Sequence, residues 1–141
     1  MSVEVDISYQ GELRCEATHQ PSGSKLVTDA PVDNHGKGEA FSPTDLVATA
    51  LGSCMLTIMG IVAQRNNWDL NGTTVHVVKE MAAKPARRIG KLEVTITIPA
   101  AMSSKLTDED RQKIETAAHT CPVQHSLHPE VEKVVKFVYA S

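Results

Sequence analysis

Two cysteines in different settings are the residues of this chain best suited to chemistry. Cys54 lies inside the almost uncharged segment 46–63, and Cys121 lies in the sequence His-Thr-Cys-Pro-Val, between a polar amphipathic segment and a proline. A thiolate can attack a peroxide, and a second thiol can condense with the resulting sulfenic acid to form a disulfide. If the fold brings the two thiols together, they form a pair suited to thiol peroxidase or redox-sensor chemistry. If it does not, they are small apolar side chains.

The three cysteines have different predicted local environments. Cys54, in the middle of a predicted helix, gains nothing from a helix N-terminus, so its activation would require a nearby arginine. Cys121 precedes Pro122, and we predict that it is the N-cap of a short helix, where the amide dipoles favour an anion. Cys15 fits the inward phase of a predicted strand, and we interpret it as an apolar side chain.

A zinc site is the rival interpretation of the residues around Cys121. His119, Cys121, His125 and His128 could contribute zinc ligands. Their spacing matches no established zinc signature and lacks a Cys-x2-Cys partner, so solvated or capping histidines are favoured. We therefore predict no metal site, and the sequence contains no phosphate-binding or hydrolase motif either.

Composition restricts the class of protein. A chain of 141 residues fits one domain, 1–141, and a net charge of −3 without a basic stripe argues against a nucleic-acid partner. Three cysteines are too few for a disulfide scaffold and the first residues lack a signal-peptide pattern, so we expect a cytoplasmic protein. Segment 46–63 reaches the length of a membrane span, but its threonines, serine and glycines favour a buried soluble helix, and we expect no membrane association.

The segment before Cys54 is predicted to contain strands, a loop and the start of a helix. Alternating apolar residues over 3–9 predict a half-buried strand, Gln10-Gly11 predicts a tight turn, and the alternation resumes over 13–17. A short third strand is predicted over 25–28, followed by a long loop of a kind that is often functional. Ser42-Pro43-Thr44-Asp45 is typical of a capped helix start.

The remaining segments complete the predicted fold. The helix should run to about Asn66, and strands are predicted over 73–81 and 91–98, with a basic loop over 82–90 between them. Thr107 to Asp110 predicts the capping box of a second long helix, and the last strand covers 133–139. This order predicts an α+β domain whose mostly antiparallel sheet packs on a long buried helix.

The motifs around both cysteines resemble the OsmC/Ohr family of osmotically induced and organic-hydroperoxide-resistance proteins. The resemblance is carried by Phe41-Ser-Pro-Thr-Asp-Leu46, by Ala48-Thr-Ala-Leu-Gly-Ser-Cys-Met55 and by Thr120-Cys-Pro-Val123, and it extends over the whole chain. It implies an intertwined homodimer in which sheet wraps a long central helix of each subunit. It also implies two active sites at the subunit interface.

The resemblance further implies a mechanism. Cys54 would attack an organic hydroperoxide, and Cys121 would resolve the sulfenic acid as an intramolecular disulfide, in defence against oxidative and osmotic stress. No cofactor is expected to be bound. The reductant would be an external thiol, which in one branch of the family is a dihydrolipoyl group on a partner protein. The alternative function is a catalytically slow dimeric module that binds an apolar ligand.

The supporting residues of the family match this chain only in part. In the organic-hydroperoxide branch a glutamate lies ten residues before the cysteine that corresponds to Cys54, whereas this chain has Thr44 there, and the nearest acid is Asp45. That branch also holds its thiolate with an arginine from the N-terminal region. Arg14 is the only arginine before Cys54, and Arg87 and Arg88 on the basic loop are the other candidates. The chain therefore resembles the OsmC-like branch more closely.

Overall fold

The computed structural model describes residues 1–141, and the chain divides into two compact units, 1–47 and 48–141, which we describe separately. The elements are β1 (Val5–Gly11), β2 (Arg14–His19), β3 (Lys25–Asp29), a 3₁₀ turn (Val32–Asn34), α1 (Pro43–Arg65), β4 (Thr74–Ala82), β5 (Arg88–Ile98), α2 (Ala100–Ser103), α3 (Asp108–Ala118), α4 (Pro122–Ser126) and β6 (Glu132–Tyr139). This content confirms the predicted α+β class.

The first unit contains an antiparallel sheet of β1, β2 and β3 in sequence order. The predicted turn at Gln10-Gly11 is wrong, because β1 continues to Gly11 and the chain reverses at Glu12 and Leu13, whose φ angles are +53° and +64°. Two consecutive left-handed residues suit a two-residue hairpin, since they match the twist of the flanking strands. The Leu13 amide also donates a hydrogen bond to the Tyr9 hydroxyl, at 3.2 Å.

One face of this first sheet is apolar and uncovered. The register places Ile7 opposite Ala17 and Tyr9 opposite Cys15, so these side chains share a face. The alternation predicted a half-buried strand, but every residue of β1 before Gly11 is exposed, with Ile7 at 68% and Tyr9 at 66%. The apolar pattern of β1 therefore has no partner within one chain.

The second unit is built on a sheet in the order β4-β5-β6. β4 pairs antiparallel with β5, whereas β6 pairs parallel with β5, because α2, α3 and α4 form the crossover between these two strands. Three of the four strand pairings in the chain are thus antiparallel, but they are divided between two three-stranded sheets.

Helices cover one face of the second sheet and form the core with it. Alternate residues of β5 are buried, and they pack with one stripe of α1 and with α3. The core cluster consists of Ala48, Leu51, Met55, Met59, Leu92, Val94, Ile96, Ile98, Met102, Leu106, Ile114, Ala118, Cys121 and Val131. Helix and sheet approach closely at Gly52, where a Cβ atom would meet Cγ atoms of Val75 and Val77 at 3.0 and 3.1 Å.

Helix α1 begins where the sequence predicted. The Ser42 amide donates to Asp45 Oδ2 at 2.9 Å and the Asp45 amide donates to Ser42 Oγ at 3.1 Å, which is a capping box. By length and composition α1 could cross a membrane, and a third of that apolar window is buried within the chain. The predicted burial of α1 on every side is not found within one chain, because the helix face opposite its buried stripe is exposed. The exposed residues are Thr49, Ala50, Ser53, Thr57 and Ile61.

Candidate active site

Cys54 and Cys121 lie together in the second unit, although they are far apart in sequence. Both are free thiols, and Cys54 packs against the core cluster that contains Cys121, so that their side chains interact. Cys54 projects from the middle of α1, and Cys121 follows the turn that ends α3, where its amide donates to the Ala118 carbonyl at 3.3 Å. The contact arises because α1 and the end of α3 both pack on the buried face of the second sheet.

The two thiols differ in accessibility. Cys121 is fully buried in the core, whereas Cys54 is half-buried at the edge of the buried stripe of α1. On the part of α1 near Cys54, Leu51 is buried, Val47 and Ile58 are half-buried, and Ala50 is exposed. Cys54 is therefore the more exposed residue of the pair.

Cys121 is the N-cap of α4, as predicted. Its Sγ accepts a hydrogen bond from the Gln124 amide at 3.5 Å, and Pro122 occupies the first turn of α4. The expected acidifying effect of this position is outweighed, because burial raises the pKa of Cys121, and the hydrogen bond to Cys54 raises it further. A negative charge on Cys54 acts in the same direction. A thiolate at Cys54 would thus keep Cys121 protonated.

Arg14 is engaged by carboxylates within the first unit. Its Nε donates to Asp29 Oδ1 at 2.7 Å and its Nη2 to Asp29 Oδ2 at 2.8 Å, with Glu39 Oε2 at 3.4 Å. Asp29 is only 1% exposed and also accepts the Glu39 amide at 3.1 Å. Arg14 holds the pKa of Asp29 below its ordinary value. Asp29 carries no sequence motif, and its only signal is the strand register, which places Asp29 on β3 opposite Arg14 on β2.

The other candidate supporting residues lie at the start of α1 and around the connection between β4 and β5. Asp45 caps α1, and the Thr44 hydroxyl lies 3.2 Å from Ser42 Oγ. Arg87 is exposed at the β4–β5 connection. Arg88, predicted to lie in the loop, is instead the first residue of β5, because the β4–β5 ladder extends to its pairing with Ala82. Its Nη1 donates to the Ile89 carbonyl at 3.2 Å.

The histidines near Cys121 do not assemble into a metal site. His119 packs edge-on against Phe137, with ring centroids 6.1 Å apart, and His128 Nδ1 accepts the Glu130 amide at 3.1 Å. No group of three or more His, Cys, Asp or Glu residues in 1–141 is arranged to hold a metal ion.

Comparison with known families identifies the chain. The family model of OsmC-like proteins matches residues 36–136, a range that contains both cysteines. The chain belongs to the OsmC/Ohr family. The resemblance inferred from the cysteine motifs is thereby confirmed, and this family includes organic hydroperoxide resistance proteins. A comparison with curated proteins finds no match.

Solved structures support the same fold. A protein from Psychrobacter arcticus, provisionally described as an osmotic stress induced and detoxification response protein, is 47% identical over 94% of this chain and 93% of its own, with a TM-score of 0.87. An organic hydroperoxide resistance protein OsmC from Legionella pneumophila is 16% identical over 98% and 97%, with a TM-score of 0.76. An OsmC-like protein of unknown function from Vibrio cholerae is 17% identical over 98% and 99%, with a TM-score of 0.82. The last two show similarity of fold alone.

Proposed function

We propose that this protein is a thiol peroxidase that reduces organic hydroperoxides, with Cys54 as the attacking thiol and Cys121 as the resolving thiol. The observation that carries the proposal is that Cys54, which is half-buried, packs against the core cluster that contains the buried Cys121. Membership of a family that includes hydroperoxide resistance proteins favours the same chemistry.

In the first step the Cys54 thiolate attacks the terminal oxygen of the hydroperoxide. An S–O bond forms as the O–O bond breaks, so that the sulfur is oxidised to a sulfenic acid and the alkoxide leaves, becoming an alcohol when it takes up a proton. Burial and the hydrogen bond to Cys54 support Cys121 as the thiol that stays protonated at this stage. The apolar side chains around Cys54 favour an alkyl or aryl peroxide over hydrogen peroxide.

In the second step Cys121 attacks the sulfur of the Cys54 sulfenic acid. The S–S bond forms and the S–O bond breaks, and hydroxide leaves with the proton of Cys121 as water. The packing of Cys54 against the core cluster that contains Cys121 supports this assignment. An external dithiol, such as a dihydrolipoyl group on a partner protein, would return the two electrons and two protons in a reducing cytoplasm. No bound cofactor enters this cycle.

We also propose that the working form is an intertwined homodimer, with the sites at the subunit interface and sheet wrapped around each α1. The support is the pair of uncovered surfaces described above: the apolar face of the first sheet and the exposed stripe of α1. A second copy would bury both, and removing apolar surface from water favours such association.

Intact-mass measurement of the reduced protein after one equivalent of cumene hydroperoxide tests the peroxidase proposal. The unmodified chain should lose two hydrogens as the disulfide forms. Cys121→Ser should gain one oxygen as a sulfenic acid at Cys54, which dimedone traps, and the mass of Cys54→Ser should stay unchanged on the same timescale. Cys15→Ser is the matched control and should behave as the unmodified chain. Rapid disulfide formation without Cys54, or a disulfide that includes Cys15, would overturn the assignment.

A further inference from the structure

The burial of Cys121 comes from its own chain. Its side chain is 0% exposed and belongs to the core cluster to which α1, β5 and α3 contribute. A second copy can only cover further surface, so association does not expose the Cys121 sulfur. Cys54 is half-buried in one chain, and the proposed function already requires that a hydroperoxide reach it. The two sulfurs of the proposed disulfide therefore differ in access.

The backbone holds Cys121 in this buried position. Its amide donates to the Ala118 carbonyl at 3.3 Å, and its own carbonyl accepts the His125 amide at 3.2 Å. The Gln124 amide donates to Cys121 Sγ at 3.5 Å. A thiolate attacks a disulfide sulfur from the side opposite the sulfur that leaves, and the rate depends on access to the attacked sulfur. Attack on Cys121 would therefore require the core around it to open.

The two sulfurs also differ as leaving groups, and this difference acts in the opposite direction. A thiol of lower pKa leaves faster, whereas burial raises the pKa of Cys121. Departure of the Cys121 sulfur is therefore the slower of the two departures. Access decides between the effects, because a sulfur that cannot be approached is not attacked at any pKa of the leaving thiol.

We propose that the external dithiol attacks the Cys54 sulfur of the Cys54–Cys121 disulfide, and that Cys121 leaves as the buried thiol. A bond forms between the reductant sulfur and Cys54 as the bond to Cys121 breaks, and the departing sulfur takes up a proton. The second thiol of the reductant then attacks the reductant sulfur of this mixed disulfide, which releases Cys54 and oxidises the reductant to a cyclic disulfide. This step rests on the proposed function and adds to it the sulfur at which electrons enter.

Trapping the mixed disulfide with a small monothiol identifies the attacked sulfur. In a Cys15→Ser chain, which lacks the third thiol, diamide forms the disulfide without a peroxide. Brief reaction with 2-mercaptoethanol, an acid quench, alkylation with N-ethylmaleimide and peptide mapping should then place the mercaptoethanol adduct on Cys54 and the maleimide on Cys121. An adduct on Cys121, or a disulfide that gives no adduct at either thiol, would reject the inference.

A second measurement tests whether burial is the cause. The disulfide of 2-mercaptoethanol should react with Cys54 in Cys121→Ser about tenfold faster or more than with Cys121 in Cys54→Ser, because a buried thiol reacts only when its surroundings open. Urea below the unfolding transition should raise the rate at Cys121 and leave the rate at Cys54 nearly unchanged. Equal rates without urea would contradict the role of burial. The trapping experiment keeps the test valid if either variant does not fold.

These measurements also distinguish failure of this step from failure of the peroxidase proposal. If the disulfide made with diamide gives the adduct on Cys54 while cumene hydroperoxide leaves the reduced protein unchanged, only the peroxidase proposal fails. If cumene hydroperoxide forms the disulfide and the adduct lies on Cys121, only the assignment of the attacked sulfur fails. A chain in which diamide forms no Cys54–Cys121 disulfide would reject both.

Discussion

At the scale of single residues, Cys121 is subject to two opposing effects. Its position before Pro122 favours a thiolate, and the Gln124 amide does donate to its sulfur. Burial acts in the opposite direction and prevails, so its pKa is raised. The sequence predicted the cap because a cap depends on neighbours in the chain. It could not predict the net direction, which depends on packing against the core beside Cys54.

This direction predicts an alkaline loss of stability in the reduced protein. The native state binds the Cys121 proton more tightly than the unfolded state, so the free energy of unfolding should fall as pH rises above the ordinary thiol value of 9.0. Tyr139, whose pKa is also raised by burial and by Glu115, adds to the same loss. Urea unfolding from pH 7 to about pH 11 should therefore show a smaller loss in Cys121→Ser, which lacks the thiol. Equal slopes in both proteins would contradict the prediction.

Arg14 leads to a prediction at acid pH. The Arg14 guanidinium depresses the pKa of the buried Asp29, so stability is present above the unfolded value of 3.8 and is lost as pH falls through the lower native value. Arg14→Ala should move the acid unfolding midpoint, measured by circular dichroism, to higher pH. Lys25→Ala, which removes an exposed ion pair with Glu16, should move it little. The same shift in both variants would show that charge alone, and not the Asp29 pairing, is responsible.

At the scale of elements, α1 contains two glycines with different surroundings. At Gly52 a Cβ atom would press on Val75 and Val77, whereas at Gly60 it would meet open space. Gly60→Ala should raise the free energy of unfolding by about 0.5–1 kcal/mol, and Gly52→Ala should raise it by less. Gly52→Leu should lower it by about 1–3 kcal/mol through overpacking. Denaturant titration measures all three, and a larger gain at Gly52 than at Gly60 would contradict this account of the helix–sheet contact.

The elements also show which parts of the fold are local. Both helix starts that carry a capping box, at Ser42 and Thr107, were predictable because the interacting groups are three residues apart. The hairpin turn was misplaced by two residues, since Glu12 and Leu13 lack the glycine or asparagine that usually marks left-handed backbone. The pairing of Arg14 with Asp29 depends on the register of β2 and β3, which no short sequence pattern records.

At the scale of the whole molecule, the apolar alternation of β1 calls for a partner that one chain does not supply. Four apolar side chains on this sheet face are at least 45% exposed: Val5, Ile7, Tyr9 and Leu26. The sequence correctly marked this face as apolar, but a pattern of side chains cannot say whether its cover comes from the same chain. A surface of this kind on a soluble protein commonly marks an interaction site.

We expect a second copy to cover this face, and a charge placed on it should weaken the dimer. Ile7→Lys puts an ammonium group among the apolar side chains, and burying it unpaired in an interface would be costly. Ser8→Lys puts the same group on the opposite face of β1, across from Glu16, and should leave association intact. Sedimentation velocity at micromolar concentration should show a dimer for the unmodified chain and for Ser8→Lys, but a monomer or unfolded chain for Ile7→Lys. A stable folded monomer of the unmodified chain would reject both the dimer and the placement of the thiol sites at its interface.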